Sequence, residues 1–221
     1  MAAGSLNRAM PALVEAYKST HQRDATVILG ATGSLSAQLE NGAPADLFFA
    51  ADEATVDRLV ARGTLDSASR IIYARGVLTL VWRTGIAQPA TLQDLTNPRF
   101  AVVALANPDL APYGAAARSA LQASALWTQV LPRIVYGENI AGAWQLVQSG
   151  NADVGLVARS VIDDEAAARS LPINPSLYPP LLQAAASVSA SKHPDRAAFL
   201  AFVQSVAGQD ILRRHGFDPP R

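Results

Sequence analysis

The stretch "VILGATGSLSAQLENGAPADLFFAAD", residues 27–52, decides how the rest of the chain is read. Thr26 to Leu29 reads as a short buried strand that runs into a Gly/Thr/Ser loop. Thr32 or Ser34 can cap the helix that follows, Leu35 and Leu39 face inward, and Gly42 stands as the residue just past its C-terminus. "GAPAD" is a turn, and Leu47 to Ala50 is a fully apolar strand. Asp52 then caps a third helix that buries Val56, Leu59 and Val60 before stopping at Gly63. Alternating strands and helices of this length predict a parallel sheet with helices on its faces.

Upstream, Leu6, Met10, Leu13, Val14 and Tyr17 recur at helical spacing, with Ser5 placed as an N-cap and the helix running to about Thr20. Pro11 removes a backbone donor there, so a kink or a later start is expected. An Ala/Gly/Ser loop opening a helix normally follows a strand, yet only Met1 precedes this one. The first ten residues have neither the charged start nor the apolar core of a signal peptide.

Downstream, "GVLTLVW", 76–82, reads as a central strand that leaves the first lobe. A second α/β run follows. Strand Phe100 to Ala104 leads through "NPDLAPYG" into a helix from about Gly114 to Ser124, and Ile134 and Val135 lead through "GENIAG" into a helix ending at Gly150. Val154 to Val157 is another strand, residues 181–190 form a strand returning to lobe one, and Pro194 to His215 forms one or two closing helices stopped by Gly216.

Composition narrows the function. The 221 residues carry 18 basic and 18 acidic side chains, scattered, so no basic field exists to attract nucleic acid. No apolar run reaches the roughly 20 residues of a membrane span. Cysteine is absent, which removes disulfides, thiolate metal sites and a Cys nucleophile but leaves the compartment open. His21, His193 and His215 all lie near helix ends among charged residues, and read as surface groups rather than catalytic bases. Asp163, Asp164 and Glu165 read as a solvated face, because adjacent carboxylates on a helix point apart.

What remains is a set of loops at helix N-termini: Gly4-Ser5, Ala31-Thr32-Gly33-Ser34, Pro112-Tyr113-Gly114 and Asn139-Ile140-Ala141-Gly142. Helix N-termini carry unpaired N–H groups and partial positive charge, so a small anion can be held there without Lys or Arg. The same loops also read as ordinary caps and tight connections, and the residues alone leave both readings open.

Five segments, "AAGSLNRAM", "GATGSLSAQLENGAPADLFFAAD", "NPDLAPYG", "ENIAGAWQLVQSGNADVGLV" and "ILRRHGF", resemble the periplasmic molybdate-binding proteins of ABC transporters in order and spacing. The resemblance covers essentially the whole chain. It implies a two-lobed periplasmic binding protein fold of α/β class, type II, each lobe a mostly parallel sheet flanked by helices. Lobe one would span residues 1–80 plus 184–221 and lobe two 81–183, with crossover strands near 78–83 and 181–188 as hinge. The ligand would be molybdate or tungstate, bound as an oxyanion in the cleft between lobes, with no other cofactor and no bare metal. The resemblance further implies Ser5 and Thr32 as donors from lobe one, with Gly4 beside them, and the backbone N–H groups of Tyr113 and Ile140 from lobe two. It implies no enzyme activity, a monomer in the periplasm, and a membrane permease as partner. Thr32 stands where the family has Ser, and Ala158 where many members carry a Tyr whose hydroxyl touches the ligand. The family's opening strand, expected just before Ala2, reads as missing from this chain. A receptor for another oxyanion such as sulfate, and an α/β enzyme, are the competing classes.

Overall fold

The computed structural model describes residues 1–220. The chain forms two compact units, the first made of Met1–Gly76 and the chain from Leu182 onward, the second of Val77–Leu181.

The first unit is built on a five-stranded sheet of order β2-β1-β3-β10-β4, with β1 at Ala2–Ala3, β2 at Leu29–Gly30, β3 at Leu47–Phe49, β4 at Ile71–Gly76 and β10 at Leu181–Ser187. A strand therefore does precede the first loop. β1 runs parallel to both β2 and β3, while β10 runs antiparallel to β3 with Ala185 opposite Phe49. β2 is shorter than residues 26–29 suggest and is not buried: Ile28 is 47% and Leu29 41% exposed. Its position at the sheet edge explains this, because an edge strand has a neighbour on one side alone.

Helices α1 (Ala9–His21), α8 (Arg196–Gln204) and α9 (Val206–Arg214) cover one face, burying Met10, Leu13, Tyr17, Phe199, Val203 and Leu212 with Phe49 and Tyr73 of the sheet. Helices α2 (Thr32–Glu40) and α3 (Glu53–Ala61) cover the other, where Leu35, Leu39, Val56 and Leu59 pack on Phe48 and Ala184. Each fully buried Leu or Phe here contributes about 1.5–3 kcal/mol. Pro11 is the third residue of α1, where the backbone N–H has no intrahelical partner to lose, so the helix starts late rather than kinking. Asp52 caps α3 by accepting the Thr55 N–H at 2.6 Å, and Gly42 and Gly63 take the positive φ values of 83° and 74° that end α2 and α3.

The second unit carries a sheet of order β7-β6-β8-β5-β9, with β5 at Leu78–Trp82, β6 at Val103–Ala106, β7 at Ile134–Gly137, β8 at Val154–Ala158 and β9 at Ser170–Pro172. β6 starts three residues later than Phe100, which is buried ahead of it. β5 is buried along its whole length because β8 and β9 flank it, both antiparallel. β7 and β8 lie parallel to β6, so the sheet is mixed. Helices α4 (Pro112–Ala123) and α6 (Ile140–Gln148) follow β6 and β7, with short helices α5 (Trp127–Val130) and α7 (Asp164–Ala167) in the connections.

Candidate functional site

Parallel strands put the loops that follow them at one edge of their sheet, which is where α/β proteins hold ligands. In the first unit β1 leads into a tight turn at Gly4–Leu6, and β2 into α2. Ser5 does not cap α1, which begins four residues later behind Arg8. Its side chain is fully buried and donates to Gln183 Oε1 at 3.2 Å. Gln183 Nε2 in turn donates to the Ala51 carbonyl at 3.0 Å, which fixes the amide orientation.

Neither Thr32 nor Ser34 caps α2 through a side chain; Ala31 occupies the cap position and Thr32 the first helical one. The Thr32 hydroxyl, 1% exposed, accepts the Ala51 N–H at 3.0 Å. That bond occupies a lone pair and leaves the hydroxyl proton available. Ser5, Gln183, Ala51 and Thr32 thus form one connected chain, and Tyr73 Oη adds a bond to the neighbouring Ala50 carbonyl at 3.1 Å. Gly4 lies buried beside Ser5 in the same turn. Within the first unit the structure brings Gly4, Ser5 and Thr32 to the same edge of the sheet.

In the second unit α4 starts at Pro112, two residues before Gly114, and Tyr113 is its second residue, buried. Pro112 has no N–H to satisfy, which suits the first helical position. A Cβ on Gly114 would overlap the Ala106 carbonyl, so glycine here lets the helix start press onto the end of β6. Likewise a Cβ on Gly137 would overlap the Ala143 nitrogen, and its absence brings α6 onto the end of β7. Gly142, by contrast, has ordinary room for a Cβ.

Asn139 caps α6, its Oδ1 accepting from Ala141 N at 3.0 Å and Gly142 N at 3.1 Å, while Ala143 N bonds the Asn139 carbonyl. The cap takes every N–H of that first turn except Ile140's. Tyr113 and Ile140 therefore each sit in the first turn of a helix that follows one of two adjacent parallel strands, at one edge of their own sheet. Ala158, the last residue of β8, is fully buried opposite Leu78.

Sequence reasoning missed Gln183, and it named Asn139 as part of a helix-start loop without assigning it the cap of α6. Gln183 is a polar residue inside the apolar run of "LLQAAAS", a signal in hindsight for a buried side chain with a structural partner. Asp163 has a cap's role, accepting the Ala166 N–H at 2.8 Å, while Glu165 pairs with Arg169 at 3.6 Å. His21 stacks on Tyr17 with ring centroids 4.1 Å apart.

A family model for bacterial extracellular solute-binding proteins matches residues 1–218. The chain belongs to that family. It is 32% identical over 196 residues to the molybdate-binding protein ModA of Azotobacter vinelandii, covering 85% of this chain and 76% of the relative. The ModA protein of Rhodobacter capsulatus is 31% identical over 196 residues, covering 87% and 76%. Among solved structures, the Azotobacter vinelandii periplasmic molybdate-binding protein superposes with a TM-score of 0.91 at 26% identity, over 100% of this chain and 98% of that one. A sulfate-binding protein from Mycobacterium tuberculosis shares the fold at a TM-score of 0.79 and 22% identity, over 99% of this chain and 85% of that one. This solute-binding protein is not an enzyme, and the family's place is outside the cytoplasm, serving an ABC transporter.

Proposed function

We propose that this solute-binding protein captures molybdate, and tungstate with it, as a periplasmic monomer and delivers the oxyanion to the permease of an ABC transporter. The hydroxyls of Ser5 and Thr32, with the Gly4 turn, supply donors from the first unit, and the N–H groups of Tyr113 and Ile140 supply donors from the second. The reading is carried by the Asn139 cap, which satisfies Ala141 and Gly142 and leaves Ile140 N–H for another acceptor. Likeness to molybdate-binding relatives names the acceptor.

The physics favours neutral donors. A fully ionised oxyanion leaving water must recover its hydrogen bonds, and N–H and O–H groups held in place before binding do so at little further ordering cost. Helix starts at α2, α4 and α6 add partial positive charge directed along their axes. A protonated oxyanion would present an O–H that finds no acceptor among these donors, which disfavours phosphate.

Elemental analysis tests the assignment. Protein incubated with equimolar molybdate and sulfate, then freed of unbound ions, should retain close to one molybdenum per chain and no added sulfur. Sulfate retained in place of molybdate would assign the chain to a different oxyanion.

A further inference from the structure

Asn7 closes the turn that carries Gly4 and Ser5, its backbone N–H donating to the Gly4 carbonyl at 3.2 Å. The residue is partly buried, and its side-chain Oδ1 is fully buried with no hydrogen-bond partner among the described residues. Buried side-chain oxygens are nearly always paired, because one left unmatched forfeits its bonds to water. This unmatched amide stands at the carboxyl end of β1, in the turn to which the oxyanion donors Gly4 and Ser5 belong.

The backbone directs the side chain toward those donors. Asn7 has helical angles, φ −56° and ψ −29°, so its Cα–Cβ bond leans back toward the start of the turn rather than onward into α1. A tight turn of this kind rises about 2 Å per residue, which sets Asn7 roughly 4 Å beyond Ser5, within the reach of its own side chain. The two halves of the amide are nearly equal in size, and the torsion that carries them is broadly two-fold, so a half-turn exchanges Oδ1 and Nδ2 without displacing neighbours. Toward an anion the two halves are opposites: the carbonyl oxygen repels it and the NH2 donates to it. The Ser5 proton is engaged by Gln183, so a second donor on this turn adds what the hydroxyl does not supply while that bond stands.

We propose that Asn7 is a further ligand of the oxyanion, its amide turned so that Nδ2 donates to the anion beside Ser5. The assignment rests on the molybdate reading of the site and adds to it a side chain two residues past Ser5. It also explains why an unmatched polar group is kept in a buried turn: stability is given up before binding and recovered as a charge-assisted hydrogen bond when the anion arrives.

The test compares anion-stripped parent protein with Asn7→Leu and Asn7→Asp, using sodium molybdate, calorimetric titration, melting temperature and NMR of the side-chain amide. Leu matches Asn in branching and size, so Asn7→Leu should leave the Tm of the stripped protein unchanged or raised, since it removes an unmatched buried polar group. Its molybdate affinity should nonetheless fall roughly ten- to a hundredfold. Asn7→Asp, which sets a carboxylate against the anion, should fall further. In the parent, the Asn7 NH2 protons should shift on addition of molybdate and exchange with water at least tenfold more slowly. A parent that binds molybdate while Asn7→Leu binds it equally well, or while the Asn7 NH2 protons stay unmoved, would overturn the assignment and leave the molybdate reading standing. A fall in the Tm of stripped Asn7→Leu that matches its loss of affinity would also overturn it, by making Asn7 a structural residue of the turn. A parent that takes up no molybdate would overturn the reading itself and this assignment with it.

Discussion

Ser5 and Gln183 lie 178 residues apart in sequence, yet the Ser5 hydroxyl donates to the Gln183 side chain in a fully buried pair at 3.2 Å. Because the Gln183 amide nitrogen is committed to the Ala51 carbonyl, its oxygen must face Ser5. Gln183 therefore aligns the turn after β1 with the turn after β3. Gln183→Leu removes both bonds and should cost about 1–3 kcal/mol, seen as a fall in Tm of roughly 2–10 °C. Molybdate affinity should fall with it. An unchanged Tm would mean that the pair does not hold the turn.

The two hydroxyls are not equivalent. The Ser5 proton is already engaged by Gln183, whereas Thr32 uses a lone pair toward Ala51 N, which leaves its proton for the proposed oxyanion. Thr32→Val should therefore lose a full hydrogen bond to a charged group, about 1.5–3 kcal/mol or roughly ten- to 150-fold in affinity. Ser5→Ala exchanges one bond for another and should lose under about tenfold. Calorimetric titration of both variants with molybdate checks the order; a larger loss for Ser5→Ala would reverse it.

Asn139 offers a way to separate capping from binding. Asp is as good an N-cap as Asn, so Asn139→Asp should leave the melting temperature within a few degrees of the parent. Its carboxylate would stand one residue from the Ile140 N–H and repel an oxyanion bound there. Molybdate affinity should drop at least tenfold at low salt and recover partly as salt screens the repulsion. Equal affinity of parent and variant would place the anion away from α6.

Much of this architecture is legible in the residues themselves. Asp52, Gly42 and Gly63 announce helix boundaries because their chemistry is local: an acceptor at a cap, a backbone free to take positive φ. Ser5 and Thr32 are also legible as polar residues in loops at strand ends, but not their partners, because Gln183 and Ala51 reach them through the tertiary fold. Edge exposure of β2 was hidden for a similar reason, since sheet order rather than composition decides which strand lies outside. β1 escaped notice because two alanines carry almost no strand signal.

Asp94 gives a pH signature outside the site. It accepts the N–H groups of Thr91 at 2.9 Å and Ala90 at 2.7 Å, and these bonds hold its carboxyl below the ordinary value of 3.8. A depressed carboxylate contributes stability above its unfolded pKa and loses it as pH falls through the folded one. The stability difference between the parent and Asp94→Asn should therefore be constant above about pH 5 and shrink below pH 4. A difference that stays flat through the acid range would show that the turn does not depend on the ionised carboxylate.

The central claim is that neutral donors select one large, fully ionised oxyanion, and isothermal titration calorimetry of anion-stripped protein with molybdate, tungstate, sulfate and phosphate in one buffer tests it most directly. The account predicts tight one-to-one binding of molybdate and tungstate, with no heat from sulfate or phosphate. Sulfate binding as tightly as molybdate, or molybdate giving no heat, would contradict it.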